Sequence, residues 1–314
     1  MAFTMHSHSG QFCPGHAKDQ LEEVIKHAIS VGYKTIGLTE HMPRTELADL
    51  YPEEVIILHL LDDPEESLAV LAPRHEAYLK EAQRLQAAYS SQIHILIGFE
   101  GEWLRPSYGH FIKSLAAEPC IDYFMGSLHH VNAVPIDYDS SFYQKAVESA
   151  GGTEEKLYER YYDQQYEMLQ ALKPRVIGHF DLCRLMSQDP GRDVRQWTAV
   201  WEKIVRNLQF VAGYGGWLEC NTSALRKGLA EPYPCRTIAE EFLKLGGKFT
   251  MSDDSHGIAQ VATNYKKGLE FLESLGVTDV WTLGRTPHPG VTGTEKATLA
   301  DKKVLVADIK QSFD

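Results

Sequence analysis

Short apolar runs recur along this chain, each ending in a polar cluster and followed by a longer stretch with helical spacing of its apolar positions. Strands are expected at 3–6, 35–39, 93–99, 123–127, 176–179, 217–220 and 248–252. Helices are expected near 17–31, 73–88, 154–172, 194–211 and 234–245. Gly32, the Gly151-Gly152 pair and the Gly246-Gly247 pair stand where helix C-terminal stops are needed. Strands alternating with helices indicate parallel β/α architecture. Seven such repeats in 314 residues favour a barrel over an open sheet, with 1–314 forming a single domain.

Two stretches break this rhythm. Residues 45–72 are acidic, with Pro52, Glu53, Glu54 and the run from Asp62 to Glu66. They read as a partly helical insertion over the barrel mouth, or as a solvated acidic loop. Residues 286–314 are rich in lysine and aspartate and read as a tail packed on the domain.

Composition narrows the function. The net charge of −12 and the lack of a long basic run argue against nucleic acid or an anionic membrane as the main partner. A small anionic substrate remains open, because local arginines and metal ions override a global field. Cys13, Cys120, Cys183, Cys220 and Cys235 are odd in number and contain no CxxC pair, which suits reduced thiols in a cytoplasmic protein. No signal peptide is suggested at the first residues, and no apolar run reaches transmembrane length. The oligomeric state is not readable.

The 14 histidines become informative once placed on the strands. His6 and His8 end the first, and alternation puts both on one face, where they can grip one ion. His16 follows in the loop. His41 ends the second strand, Glu100 the third, His129 and His130 the fourth, His179 and Asp181 the fifth; Asp254 and His256 follow the seventh. In a parallel barrel all strand C-termini open on one face. Six of the seven strands therefore deliver His, Glu or Asp to one mouth. So many titratable groups together are costly unless cations compensate them. The mixed imidazole and carboxylate set suits Zn, Mn or Fe. Glu40, Asp181 and Asp253, beside these residues, are expected to orient the imidazoles. His27, His59, His75, His94, His110, His130 and His288 are expected to be surface or structural.

In order, Met5-His6-Ser7-His8, Thr39-Glu40-His41, Gly98-Phe99-Glu100, Gly126-Ser127-Leu128-His129, Gly178-His179-Phe180-Asp181 and Asp254-Ser255-His256 resemble the motif set of the PHP (polymerase and histidinol phosphatase) family. The resemblance implies a distorted (β/α)7 barrel with three divalent metal ions. By motif, one ion would be held by His6, His8, Glu100 and Asp254. A second would share Glu100 and add His129 and His179. A third would take His16, His41 and His256. The segments 11–16 and 219–228 resemble the histidinol-phosphatase branch, which implies a phosphomonoesterase acting on a small phosphorylated substrate, L-histidinol phosphate, in histidine biosynthesis. Arg226 is the main candidate for gripping the phosphate. Asn221, Arg160 and Arg184 are further substrate-binding candidates. Glu100, Asp254, His256 and Arg226 are the candidate catalytic set. Other readings are another phosphoesterase of the family acting on a nucleotide or other phosphate ester, a metal-binding barrel without turnover, and amidohydrolase-type chemistry.

Overall fold

The computed structural model describes residues 1–56, 64–286 and 298–313. Asp62, Asp63, His59 and His288, and most of the tail before residue 298, lie outside them. The strands are β1 (Ala2–Thr4), β2 (Tyr33–Leu38), β3 (His94–Glu102), β4 (Tyr123–Ser127), β5 (His130–Val131), β6 (Val134–Pro135), β7 (Val176–Ile177), β8 (Trp217–Asn221), β9 (Lys248–Ser252), β10 (Asp279–Thr286) and β11 (Thr298–Leu305).

Seven of them form one parallel sheet in the order β1-β2-β3-β4-β7-β8-β9. The two ends nearly meet: the Met5 amide donates to the Met251 carbonyl at 3.1 Å, and Ser7 bridges Ser255 in parallel. The expected seven-stranded barrel is therefore present, with the helices around it. The strands at 123–127 and 248–252 have the expected bounds. So does the helix Glu154–Leu172, whose Thr153 N-cap accepts from the Lys156 amide at 3.3 Å. Helices at Tyr108–Ala116, Ser140–Ser149 and Tyr265–Ser274 were not expected.

Tyrosine hydroxyls tie elements of the barrel to its strand backbones. The Tyr123 hydroxyl donates to the Met5 carbonyl at 2.6 Å, that of Tyr78 to the Gly98 carbonyl at 2.6 Å, and that of Tyr265 to the Phe3 carbonyl at 2.9 Å. All three rings are buried, so each burial brings apolar area and satisfies a carbonyl at once.

The described part of the tail has a definite place. β10 and β11 form an antiparallel hairpin below the N-terminal ends of the barrel strands. Trp281 lies against Trp217, Lys248 over Trp281, and Arg285 donates to Asp122 at 3.1 Å. The Met1 ammonium donates to the carbonyl of Asp308 at 2.6 Å. One end of the barrel is thus closed by apolar packing, which leaves the strand C-termini as the open face.

Candidate metal centre and its cavity

The site is built where the strands end. His6 and His8 follow β1, His41 follows β2, Glu100 and Glu102 lie on β3, His129 follows β4, His179 follows β7, and Asp254 and His256 follow β9. His6, His8, Glu100, His129, His179 and Asp254 are all buried. Beside His179 the backbone needs glycine: a Cβ at Gly178 would collide with the Ser127 hydroxyl.

Three groups of ligand atoms converge: His6, His8 and Glu100; Glu100, His129 and His179; and His8, His41 and His256. In the first, His6 Nε2 lies 3.4 Å from Glu100 Oε2 and 3.5 Å from Asp254 Oδ1. His8 Nε2 lies 3.6 Å and 3.5 Å from the same two oxygens. Four tetrahedral ligands bound at about 2.1 Å stand about 3.4 Å apart, which is the spacing found here. In the second group, His179 Nε2 is 3.0 Å from both Glu100 Oε1 and His129 Nε2. Glu100 thus offers one oxygen to each group. In the third, the His8 ring stacks on His41 at 4.3 Å and tilts against His256 at 4.4 Å.

His16 borders this third group, its ring 5.3 Å from that of His41. Its ring lies 4.7 Å from that of His256, while its Nδ1 faces Glu53 Oε1 at 3.3 Å. His129 lies in the cluster. His130 instead pairs through β5, and its buried ring lies 5.2 Å from Tyr51.

The donor set fits a divalent cation on electrostatic grounds. His6 Nε2, both nitrogens of His8, His41 Nε2 and His179 Nδ1 are buried with no hydrogen-bond partner among the described residues. Such orphans are costly unless something accepts their lone pairs. Burial opposes charge on His41, but its contacts with Glu100 and Glu102 outweigh that and push it up to about 10, a negative field in which a bound cation would take the proton's place. Burial, reinforced by the charge of His41, drives His8 down to about 3, so it presents a neutral lone pair. Burial would raise Glu100, yet His129 and His6 hold it well below the usual carboxylate range. Asp254 adopts a left-handed backbone, φ +48°, a region that glycine, asparagine and aspartate enter more readily than other residues. Its Oδ2 accepts from the Ser223 hydroxyl at 3.1 Å.

Two carboxylates missing from the sequence reading orient these imidazoles. Glu219 Oε2 lies 3.1 Å from His6 Nδ1, and its Oε1 accepts the His179 amide at 2.5 Å. Glu102 lies 3.0 Å from both His41 Nδ1 and His129 Nδ1, and Arg44 Nη1 pairs with it at 2.6 Å. β3 runs three residues beyond its expected end, which puts Glu102 on the face of Glu100. The signal for Glu219 was a carboxylate inside an apolar strand, at the head of the 219–228 segment, and no orienting role was read from it. The residues expected in this role bond elsewhere. Glu40 accepts from the Ser9 hydroxyl at 2.6 Å, Asp181 from Arg184 at 2.9 Å, and Asp253 from Tyr33 at 2.7 Å. Burial pushes Glu40 up to about 7.

A cavity of about 180 Å³ opens over the cluster. Tyr51, Glu53, Glu54 and Leu71, from the 45–72 segment, form part of its wall. None of the four expected substrate-binding residues lines it. Arg226 donates to the carbonyls of Asp253 and Asp254 at 3.1 and 2.9 Å and to Thr263 at 3.1 Å. It holds the Asp254 backbone, and three of its hydrogen bonds are made there. Arg160 pairs with Asn132 and Glu167, and Arg184 with Asp181 and the carbonyls of Glu231 and Pro232. Asn221 donates to Glu219 at 2.8 Å. The basic residues that line the cavity are Arg44, Arg74 and Lys227, none of them singled out from sequence.

Residues 4–223 match the model of the PHP domain. The chain belongs to the PHP family. Among curated relatives, the "Probable histidinol-phosphatase" of Schizosaccharomyces pombe is 42% identical, with 95% of each chain covered. The histidinol-phosphatase of Saccharomyces cerevisiae is 34% identical over 85% of this PHP chain and 87% of its own. Among solved structures, a Listeria monocytogenes chain described as a "putative histidinol phosphatase" has a TM-score of 0.70 at 25% identity, covering 84% of this chain and 99% of its own. The Lactococcus lactis histidinol phosphate phosphatase, solved with Zn, L-histidinol and phosphate, shares the PHP fold at a TM-score of 0.64 and 18% identity, covering 90% and 96%.

Proposed function

We propose that this chain is a metal-dependent histidinol-phosphatase, hydrolysing L-histidinol phosphate to L-histidinol and phosphate in histidine biosynthesis. The convergence of three ligand groups on one open barrel end carries the reading, and relatives bearing that name over nearly the whole chain support it. Three divalent ions, Zn, Mn or Fe, would be held. His6, His8, Glu100 and Asp254 would hold one; Glu100, His129 and His179 a second; His41 and His256 a third, with His16 or His8 completing it.

Bound there, the ions supply positive charge to phosphate oxygens and acidify water toward neutrality. The chain's own residues do the rest. Glu219 and Glu102 fix the imidazole tautomers, leaving Nε2 lone pairs toward the pocket. Arg226 holds the Asp254 backbone in place. Lys227, which lines the cavity, takes the place of Arg226 as the candidate contact to phosphate. Tyr51, Glu53, Glu54 and Leu71, which line the cavity, would limit water around the ester.

We read 1–314 as one domain, since the C-terminal hairpin packs on the barrel's closed end. The five cysteines are free, which suits the cytoplasm. No helix among the described residues is long and apolar enough to cross a membrane.

Chelation tests the proposal. Metal-stripped protein is expected to lose hydrolysis of L-histidinol phosphate, and Mn²⁺ or Zn²⁺ to restore it. Full activity without metal, or no preference for this substrate over nucleotides, would refute it.

A further inference from the structure

Part of the wall of the cavity over the ligand cluster has no role in the hydrolysis described above. Glu40, Phe12, Leu71, His75 and Tyr78 all line it. Phe12 and His75 flank Tyr78, with ring centroids 5.6 and 5.8 Å away. Glu40 precedes His41 in the chain, so this end adjoins the metal cluster.

Its polar groups are incompletely paired. Glu40 is 2% exposed; one oxygen accepts from Ser9, and the other has no partner among the described residues. His75 is 7% exposed and neither ring nitrogen has a partner there. A buried acceptor left open costs free energy unless a ligand donor reaches it. A carboxyl oxygen accepts from an N–H, and a neutral imidazole can donate with one nitrogen and accept with the other. The apolar walls suit the faces of a flat ring.

We infer that Glu40 and His75 form the specificity subsite for the nitrogen-bearing end of the leaving alcohol, Glu40 accepting a hydrogen bond from its imidazole or ammonium N–H. This rests on the proposed function and names the part of the substrate that sets its selectivity. The phosphate lies at the ions, and the nitrogen-bearing end lies between Glu40 and His75. Binding energy gathered there orients the ester oxygen without touching the reacting phosphorus.

The test compares kcat/KM for L-histidinol phosphate with that for phenyl phosphate, which has a ring and no N–H. In Glu40→Gln, measured with bound metal quantified, this ratio is expected to fall about 10- to 100-fold. Inhibition of phenyl phosphate hydrolysis by L-histidinol is expected to weaken in parallel. A ratio unchanged from wild type, both substrates falling together, overturns the inference and leaves the proposed function standing. A wild-type enzyme with no preference for L-histidinol phosphate fails the proposed function itself, and this inference with it. Should Glu40→Gln misfold or lose metal, the same ratio in His75→Asn decides: a fall supports the subsite, and an unchanged ratio removes it.

Discussion

Glu219 and His6 are 213 residues apart and meet at 3.1 Å, both completely buried. The carboxylate also accepts from the Ser252 hydroxyl at 2.6 Å and the His179 amide at 2.5 Å. It therefore fixes two proposed metal-holding residues at once. Glu219→Gln should keep the fold and lower metal affinity about 10- to 100-fold. Competition with a chromogenic chelator measures this; unchanged affinity would show that His6 needs no such partner.

Glu100 sends one oxygen toward His6 and His8 and the other toward His129 and His179. Glu100→Gln keeps the shape and removes the charge. The predicted loss in kcat is about a thousandfold, about 4 kcal/mol of transition-state stabilisation. Steady-state kinetics at saturating metal would reveal it, and a loss below tenfold would exclude a shared bridging role.

Arg226 separates a positioning role from a phosphate grip. Its three hydrogen bonds brace Asp253, Asp254 and Thr263. Arg226→Lys should cost about 1–3 kcal/mol of stability, by denaturant unfolding, and weaken metal binding. The KM should stay within about twofold of wild type. A large rise in KM with intact metal affinity would return Arg226 to the substrate.

His75 gives a pH signature away from the ligand cluster. Burial lowers it to about 4 from an ordinary value of 6.5. Between those values the unfolded chain binds a proton that the folded chain refuses. Stability is thus fully present above 6.5 and falls as the pH drops through about 4, by on the order of 3 kcal/mol. Burial likewise takes His130 down to about 3, adding in the same direction. Urea unfolding from about pH 7 to 4.5 should show a shallower slope in His75→Phe than in wild type. Parallel curves would contradict this.

The alternation of strands and helices was legible in the chain, because parallel strands buried on both faces read as continuous apolar runs. The strand-end histidines were legible too, since strand C-termini share one face whatever the loops do. The bounds of β3 were less so. Its apolar signal stops at Phe99, yet pairing with β4 carries the strand on to Glu102. That extension hid one orienting carboxylate.

By itself, then, the sequence determined the barrel and the imidazoles and carboxylates available at its mouth, because periodicity and strand polarity are local properties of the chain. Only the tertiary structure decided which of them meet. It put Glu219 and Glu102 against imidazoles, bound Arg226 to backbone carbonyls, and set Glu40 and His75 in the cavity wall. Those choices depend on side-chain direction and on partners far apart in the chain, and a hydrogen bond made or missed across such a distance leaves no periodic trace in the residues on either side.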